Sequence, residues 1–224
     1  MLPPTPSASP DGSGPWWALA ALGAFHGLNP GMGWLFALAW GLQQGRPGAV
    51  ARATVPIVLG HAAAIAAVAA VVGLAGAVWP ESSLRWAVGV AVLAFGLYRL
   101  VRWARHPRWV GLRVSERELF LWSFLVASAH GAGVMVAPVW LALTAAGEDG
   151  PVSAEAWARG AAGLAVHTAS LWATMGATAW VVHRKFGLGV LRRAWINFDL
   201  VWAVALVAVG ALTLAGAALG RAGS

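Results

Sequence analysis

Residues 26–34 read His-Gly-Leu-Asn-Pro-Gly-Met-Gly-Trp, and residues 130–140 read His-Gly-Ala-Gly-Val-Met-Val-Ala-Pro-Val-Trp. Each stretch is a His-Gly pair followed by small residues with a Met, a Pro and a Trp. Each also lies inside an apolar block longer than the roughly 18 to 20 residues that cross a bilayer core. A second histidine follows in the next block of each half. His61, after Gly60, comes 35 residues beyond His26, and His167, after Val166, comes 37 beyond His130. Each half holds three apolar blocks, an odd number, so the second half must enter the membrane from the opposite side. The pattern is therefore an inverted repeat.

Working outward, the spacing predicts spans over residues 16–44, 49–78, 84–104, 119–146, 154–182 and 196–219. Pro, Gly and charge clusters punctuate them: Gln43-Gln44-Gly45-Arg46-Pro47-Gly48, Trp79-Pro80-Glu81-Ser82-Ser83, the arginine-rich stretch 99–117, Gly147-Glu148-Asp149-Gly150-Pro151 and His183-Arg184-Lys185. The expected fold is an all-α membrane protein of six transmembrane helices, with the first and fourth kinked or broken. Residues 1–15 read as a disordered tail, 16–118 as the first three-helix repeat with a cytoplasmic loop, and 119–224 as the second repeat. Composition agrees: 59% of residues are hydrophobic and only 10% charged, too few charges to clothe a water-facing surface.

The net charge of +7 lies mostly between the apolar blocks, where basic residues signal topology and not a nucleic-acid groove. Assigning loops alternately to two sides puts Arg46, Arg52, Arg99, Arg102, Arg105, Arg108, Arg113, Arg117, Arg184, Lys185, Arg192 and Arg193 on one side. Arg85, Arg159 and Arg221 remain for the other, completing the 15 basic residues. Basic residues mark the cytoplasmic side, so both termini are expected outside the cytoplasm of a prokaryotic inner or plasma membrane. Trp16, Trp17, Trp79 and Trp103 sit near span ends, where indole rings favour the interface. There is no cysteine, which excludes disulfides, thiolate ligands and thiol redox chemistry.

Helix rise of about 1.5 Å per residue puts His26 roughly 15 Å inside its span, and His61, His130 and His167 roughly 16 to 20 Å inside theirs. All four are expected near the midplane, where ionisable groups are costly and face the bundle interior. A membrane histidine can simply bridge helices by hydrogen bonds. Four on repeat-matched spans at one depth point to one shared site. Asn29-Pro30-Gly31 removes a helix hydrogen bond beside His26, and Gly131 and Gly133 weaken the fourth span at the matching place. His167, Ser170, Thr174 and Thr178 fall close to one face, although hydroxyls can bond their own i−4 carbonyls. Asn29, Met32, Met135, Ser170, Thr174 and Asp199 complete the expected substrate pathway. Asn197 and Asp199 also suit the start of the last helix. His106 and His183 read as solvated loop residues.

This arrangement resembles the superfamily of lysine exporters, cadmium-resistance and nickel/cobalt transporters, and the thiol-redox membrane proteins of cytochrome c maturation. The resemblance is architectural and spans most of the chain. His26 in His-Gly-Leu-Asn-Pro occupies the place where nickel/cobalt transporters carry a first-span His/Asp motif, without that motif's Asp or second His. Neutral imidazoles suit Ni, Co, Zn, Cu or Fe(II), and Met32 and Met135 would favour Cu(I). The leading expectation is transport of a divalent transition metal across the lipid bilayer, with the four histidines as transient ligands. Axial histidines also hold haem b, so a haem-binding electron-transfer protein is an alternative. A third is a membrane subunit or assembly partner of a larger complex, its histidines relaying protons; assembly as a homo-oligomer or within a membrane complex is expected among its partners. No phosphate loop, HExxH or GxSxG arrangement is present.

The basic-residue split predicts a labelling pattern in intact cells. Labels in the loop 99–117 should be protected from external reagents, and labels at Glu148 and Asp149 should react. The reverse pattern, or an odd number of crossings, would defeat both orientation and repeat.

Overall fold

Pro30 has no N–H to continue a helix, and the first apolar block breaks there. In the computed structural model, α1 (Gly14–Leu28) ends at Asn29, whose backbone is extended at φ −70° and ψ 119°. The Asn29 Oδ1 accepts the Gly31 N–H at 2.9 Å, capping a short 3-10 turn, Pro30–Met32. Gly33 then adopts φ +129°, a conformation that L side chains rarely reach, and α2 (Trp34–Gln44) begins. Trp34 Nε1 donates to the Leu28 carbonyl at 3.1 Å, satisfying one of the carbonyls that a helix end leaves open.

The fourth block breaks as well. A capping box of Ser115 and Glu118 starts α5 (Glu116–His130), and Gly131 at φ +73° ends it. The following α6 (Ala132–Thr144) leaves at a bend of 70°. The remaining helices are α3 (Ala49–Ala75), α4 (Glu81–Arg102), α7 (Ala154–Lys185) and α8 (Phe198–Ala222). The structure describes residues 13–45, 48–102, 115–145, 153–185 and 198–222, and no strand occurs among them. His106 and Asn197 lie outside the described residues, as does most of the tail expected over residues 1–15. α1 already begins at Gly14.

Among the described residues, three helices are long and apolar enough to cross a membrane: Ala49–Ala75, Glu81–Val101 and Leu200–Leu219. The bent α5–α6 pair makes a fourth if it is one span. This is an integral membrane protein by the length and apolarity of its helices. The spans expected at either end of this set differ for physical reasons. α1 has 15 residues and α2 has 11, each too short alone for a core of about 30 Å. At 32 residues α7 has the length, but His167, Ser170, Thr174 and Thr178 dilute its apolar character.

α3 is central: half of its most apolar window is buried, against 22% for α8. α5 packs on α3, α1 on α7, and α6 against both α3 and α7. α4 and α8 pack on each other at the periphery, and Val101 and Leu212 on them are left more than 70% exposed, as lipid contact requires. The inner contacts depend on glycine. A Cβ on Gly23 of α1 would fall on the His167 carbonyl oxygen of α7, and one on Gly60 of α3 would fall on the Phe120 carbonyl of α5. These close approaches bring α1 and α3 to the centre with their histidines.

Replacing Gly23 or Gly60 by alanine should therefore destabilise the fold by about 1–3 kcal/mol, the usual cost of overpacking. Gly176→Ala, with nothing within 4 Å of the new carbon, should be neutral or slightly stabilising. Thermal unfolding in detergent measures both, and equal midpoints for Gly23→Ala and Gly176→Ala would contradict the packing.

Candidate metal centre

His26 stands two residues before the end of α1, at the break set by Pro30. α3 brings His61 to the same level, and α7 brings His167. All three rings are buried, at 0%, 1% and 0% exposure. Their ligand nitrogens all lie within 4.8 Å of one another. The His26 ring is 5.0 Å from His61 and 4.9 Å from His167, each edge-on. His61 and His167 lie nearly parallel, 5.9 Å apart.

Hydrogen bonding selects which nitrogens face the centre. His26 Nδ1–H donates to the Leu22 carbonyl at 2.6 Å, four residues back on its own helix. His167 Nδ1–H donates across the interface to the Leu19 carbonyl of α1 at 3.2 Å. A carbonyl only accepts, so each ring carries its proton on Nδ1 and leaves the Nε2 lone pair free. Both Nε2 atoms lack hydrogen-bond partners, and so do both nitrogens of His61. A buried polar atom left unsatisfied costs about 1–3 kcal/mol, and the three rings bring one nitrogen each to within 4.8 Å of the others. Metal-binding imidazoles have this arrangement, with the far ring nitrogen held by a carbonyl.

The three histidines could thus hold a metal ion. Zinc–nitrogen bonds of about 2.0–2.1 Å in a tetrahedron need nitrogens about 3.3 Å apart. Closing from within 4.8 Å to that spacing takes side-chain adjustments on the scale of an ångström.

His130 is not in this group. It ends α5 just before Gly131, half-buried, and its Nδ1–H donates to the Val126 carbonyl at 2.9 Å, the same four-residue return that His26 makes. Between it and His26 stands Trp202 of α8, fully buried. The Trp202 ring is 4.5 Å from His26, 6.3 Å from His130 and stacked on Phe25, and its Nε1 donates to the His130 carbonyl. Depth in a span is readable from the sequence, but the direction in which a ring points is not. A tryptophan in an apolar run carries no signal that it will insert between two histidines.

Asn29 caps the 3-10 turn, and Met32 and Met135 are buried in one apolar cluster with Leu19 and Trp202. Ser170 Oγ donates to the Ala20 carbonyl at 2.7 Å, fastening α7 to α1. Thr174 and Thr178 each return a bond to the carbonyl four residues back. Asp199 lies in the first turn of α8. His183, expected in a loop, is exposed near the end of α7 and lines a cavity there.

No family model, curated protein or solved structure matches the chain.

Alanine at His26, His61 or His167 leaves two nitrogens, and each variant should lose zinc affinity by at least roughly tenfold, since even a disturbed supporting partner costs that much. His130→Ala should keep wild-type affinity. Titration calorimetry on purified protein decides it, and a loss at His130 equal to that at His61 would place His130 in the shell.

Proposed function

We propose that the chain is a six-span transporter of a divalent transition-metal ion, built as two inverted three-helix halves around the His26–His61–His167 centre. The observation that carries this reading is the convergence of unpartnered imidazole nitrogens, buried where α3 and α7 pass the break that ends α1. Helix pairing supports the repeat. α1 packs on α7 as α5 packs on α3, and α2 packs on α3 as α6 packs on α7. Inverted repeats with interrupted helices carry their sites where the halves meet.

The donor set suits such cargo. Imidazole nitrogens bind Zn, Ni, Co, Cu and Fe(II) and are poor partners for Mg and Ca, which take oxygen. Three ligands leave a fourth position open to water. None of the three carries a negative charge to neutralise the ion, so an occupied site retains a net positive charge in a low-dielectric interior. Such a site holds its ion transiently, as transport needs: tight enough to enter, weak enough to leave. Protons compete with the metal for the same lone pairs.

Protein reconstituted in vesicles should move Zn(II), Ni(II) or Co(II) across the bilayer, and His61→Ala should abolish the flux. Affinity should weaken on acidification, because protons compete for the same lone pairs. Purified protein should show no Soret band. A haem spectrum, or metal flux indifferent to all three histidines, would reject the reading.

A further inference from the structure

A cavity of about 650 Å³ opens at one end of the bundle, between the end of α2, the start of α3 and the end of α7. Glycine and alanine dominate its wall, with Trp180 and His183 toward the rim and Thr54 and Trp172 at the inner end. Gly176 of α7 has nothing within 4 Å of the position its Cβ would take. The inner end is closed by a hydrogen bond between helices: Trp172 Nε1 donates to Thr54 Oγ1 at 2.9 Å. Thr54 Oγ1 passes its own proton to the Ala51 carbonyl at 2.7 Å. Directly beyond lies Ile57, fully buried, one turn along α3 toward His61. By helix rise His61 is about 10 Å past Thr54, and His167 about 8 Å from Trp172.

The opposite end of the same helices is filled. There Trp140 of α6 and Trp157 of α7 pack edge to face at 5.7 Å. A Cβ on Gly73 of α3 would come within 2.9 Å of both rings, and one on Gly160 of α7 within 2.8 Å of Trp140. The three histidines stand between an open end and a plugged end.

We propose that the α2–α3–α7 cavity is the water-filled passage by which the cation reaches the histidine centre from one face of the membrane, with the Thr54–Trp172 pair as its inner barrier. The identity of the cargo rests on the metal-transport reading; the passage itself does not. Its volume of about 650 Å³ leaves room for a hydrated ion, although its wall is largely apolar. The Trp172 ring, about half exposed, is held at the inner end by its bond to Thr54, so one rotation can move it without unfolding a helix.

The chain has no cysteine, so single thiols report access without background. In membrane vesicles of both orientations, Gly176→Cys should react with a charged, impermeant methanethiosulfonate from one face only. Ile57→Cys should be protected from both faces. Adding Trp172→Ala should lift the protection of Ile57→Cys from the cavity face alone. If that double variant fails to insert, Thr54→Ala, which removes the bond and leaves the ring, is expected to lift protection in the same direction. Reaction of Gly176→Cys only with lipid-soluble N-ethylmaleimide would make the cavity a lipid groove and overturn the proposal. So would an Ile57→Cys that reacts without any barrier variant, or that stays protected in its presence. Because labelling needs no bound metal, a centre that fails to bind Zn(II) would reject the transport reading and leave the passage to be decided separately.

Discussion

The contact on which the site depends is the glycine-mediated approach of α1 to α7. Gly23 lies under the His167 carbonyl with no room for a Cβ, and Gly27 meets the α7 backbone in the same way. That closeness lets His167 reach the Leu19 carbonyl and Ser170 reach Ala20. The two bonds fix the rotation of α7 about its axis. The first also fixes the tautomer of His167, so the same interface that packs the helices decides which nitrogen is left to bind. Any side chain larger than hydrogen at Gly23 would push the rings apart before it affected their chemistry.

The broken helices matter for a related reason. A backbone that leaves helical geometry inside an apolar medium must find new partners for its polar groups. Here the chain finds them locally, through Asn29, Trp34 and the Gly131 turn. Trp202 adds a longer-range partner by taking the His130 carbonyl at the end of α5. The first break also ends α1 just after His26, and so leaves that ring at the tip of a helix instead of within one.

Much of this was legible in the order of residues. Long apolar blocks with few charges admit only helices in a membrane, and Pro30 and Gly131 mark the two breaks by removing a donor and by allowing a positive φ. Counting residues sets the depth of each histidine because helix rise is constant. Rotation about the helix axis is set by contacts between helices far apart in sequence, which no spacing encodes. That is why four histidines at one depth resolve into three that meet and one, His130, that lies beyond Trp202. It is also why Thr54 and Trp172, an ordinary threonine and one of fifteen tryptophans, could not be singled out before their helices were brought together.

The centre draws its three nitrogens unequally from the two tightly packed helix pairs. His26 and His167 belong to the α1–α7 pair, joined by carbonyl bonds across their shared interface, whereas His61 belongs to α3, which is fastened to α5 through the Ser123 hydroxyl and the Ile57 carbonyl. A shear of one pair past the other would leave two ligands in place and carry the third away. With an ion held there, such a slide would lower the coordination number from three to two, turning a mechanical displacement directly into a loss of affinity.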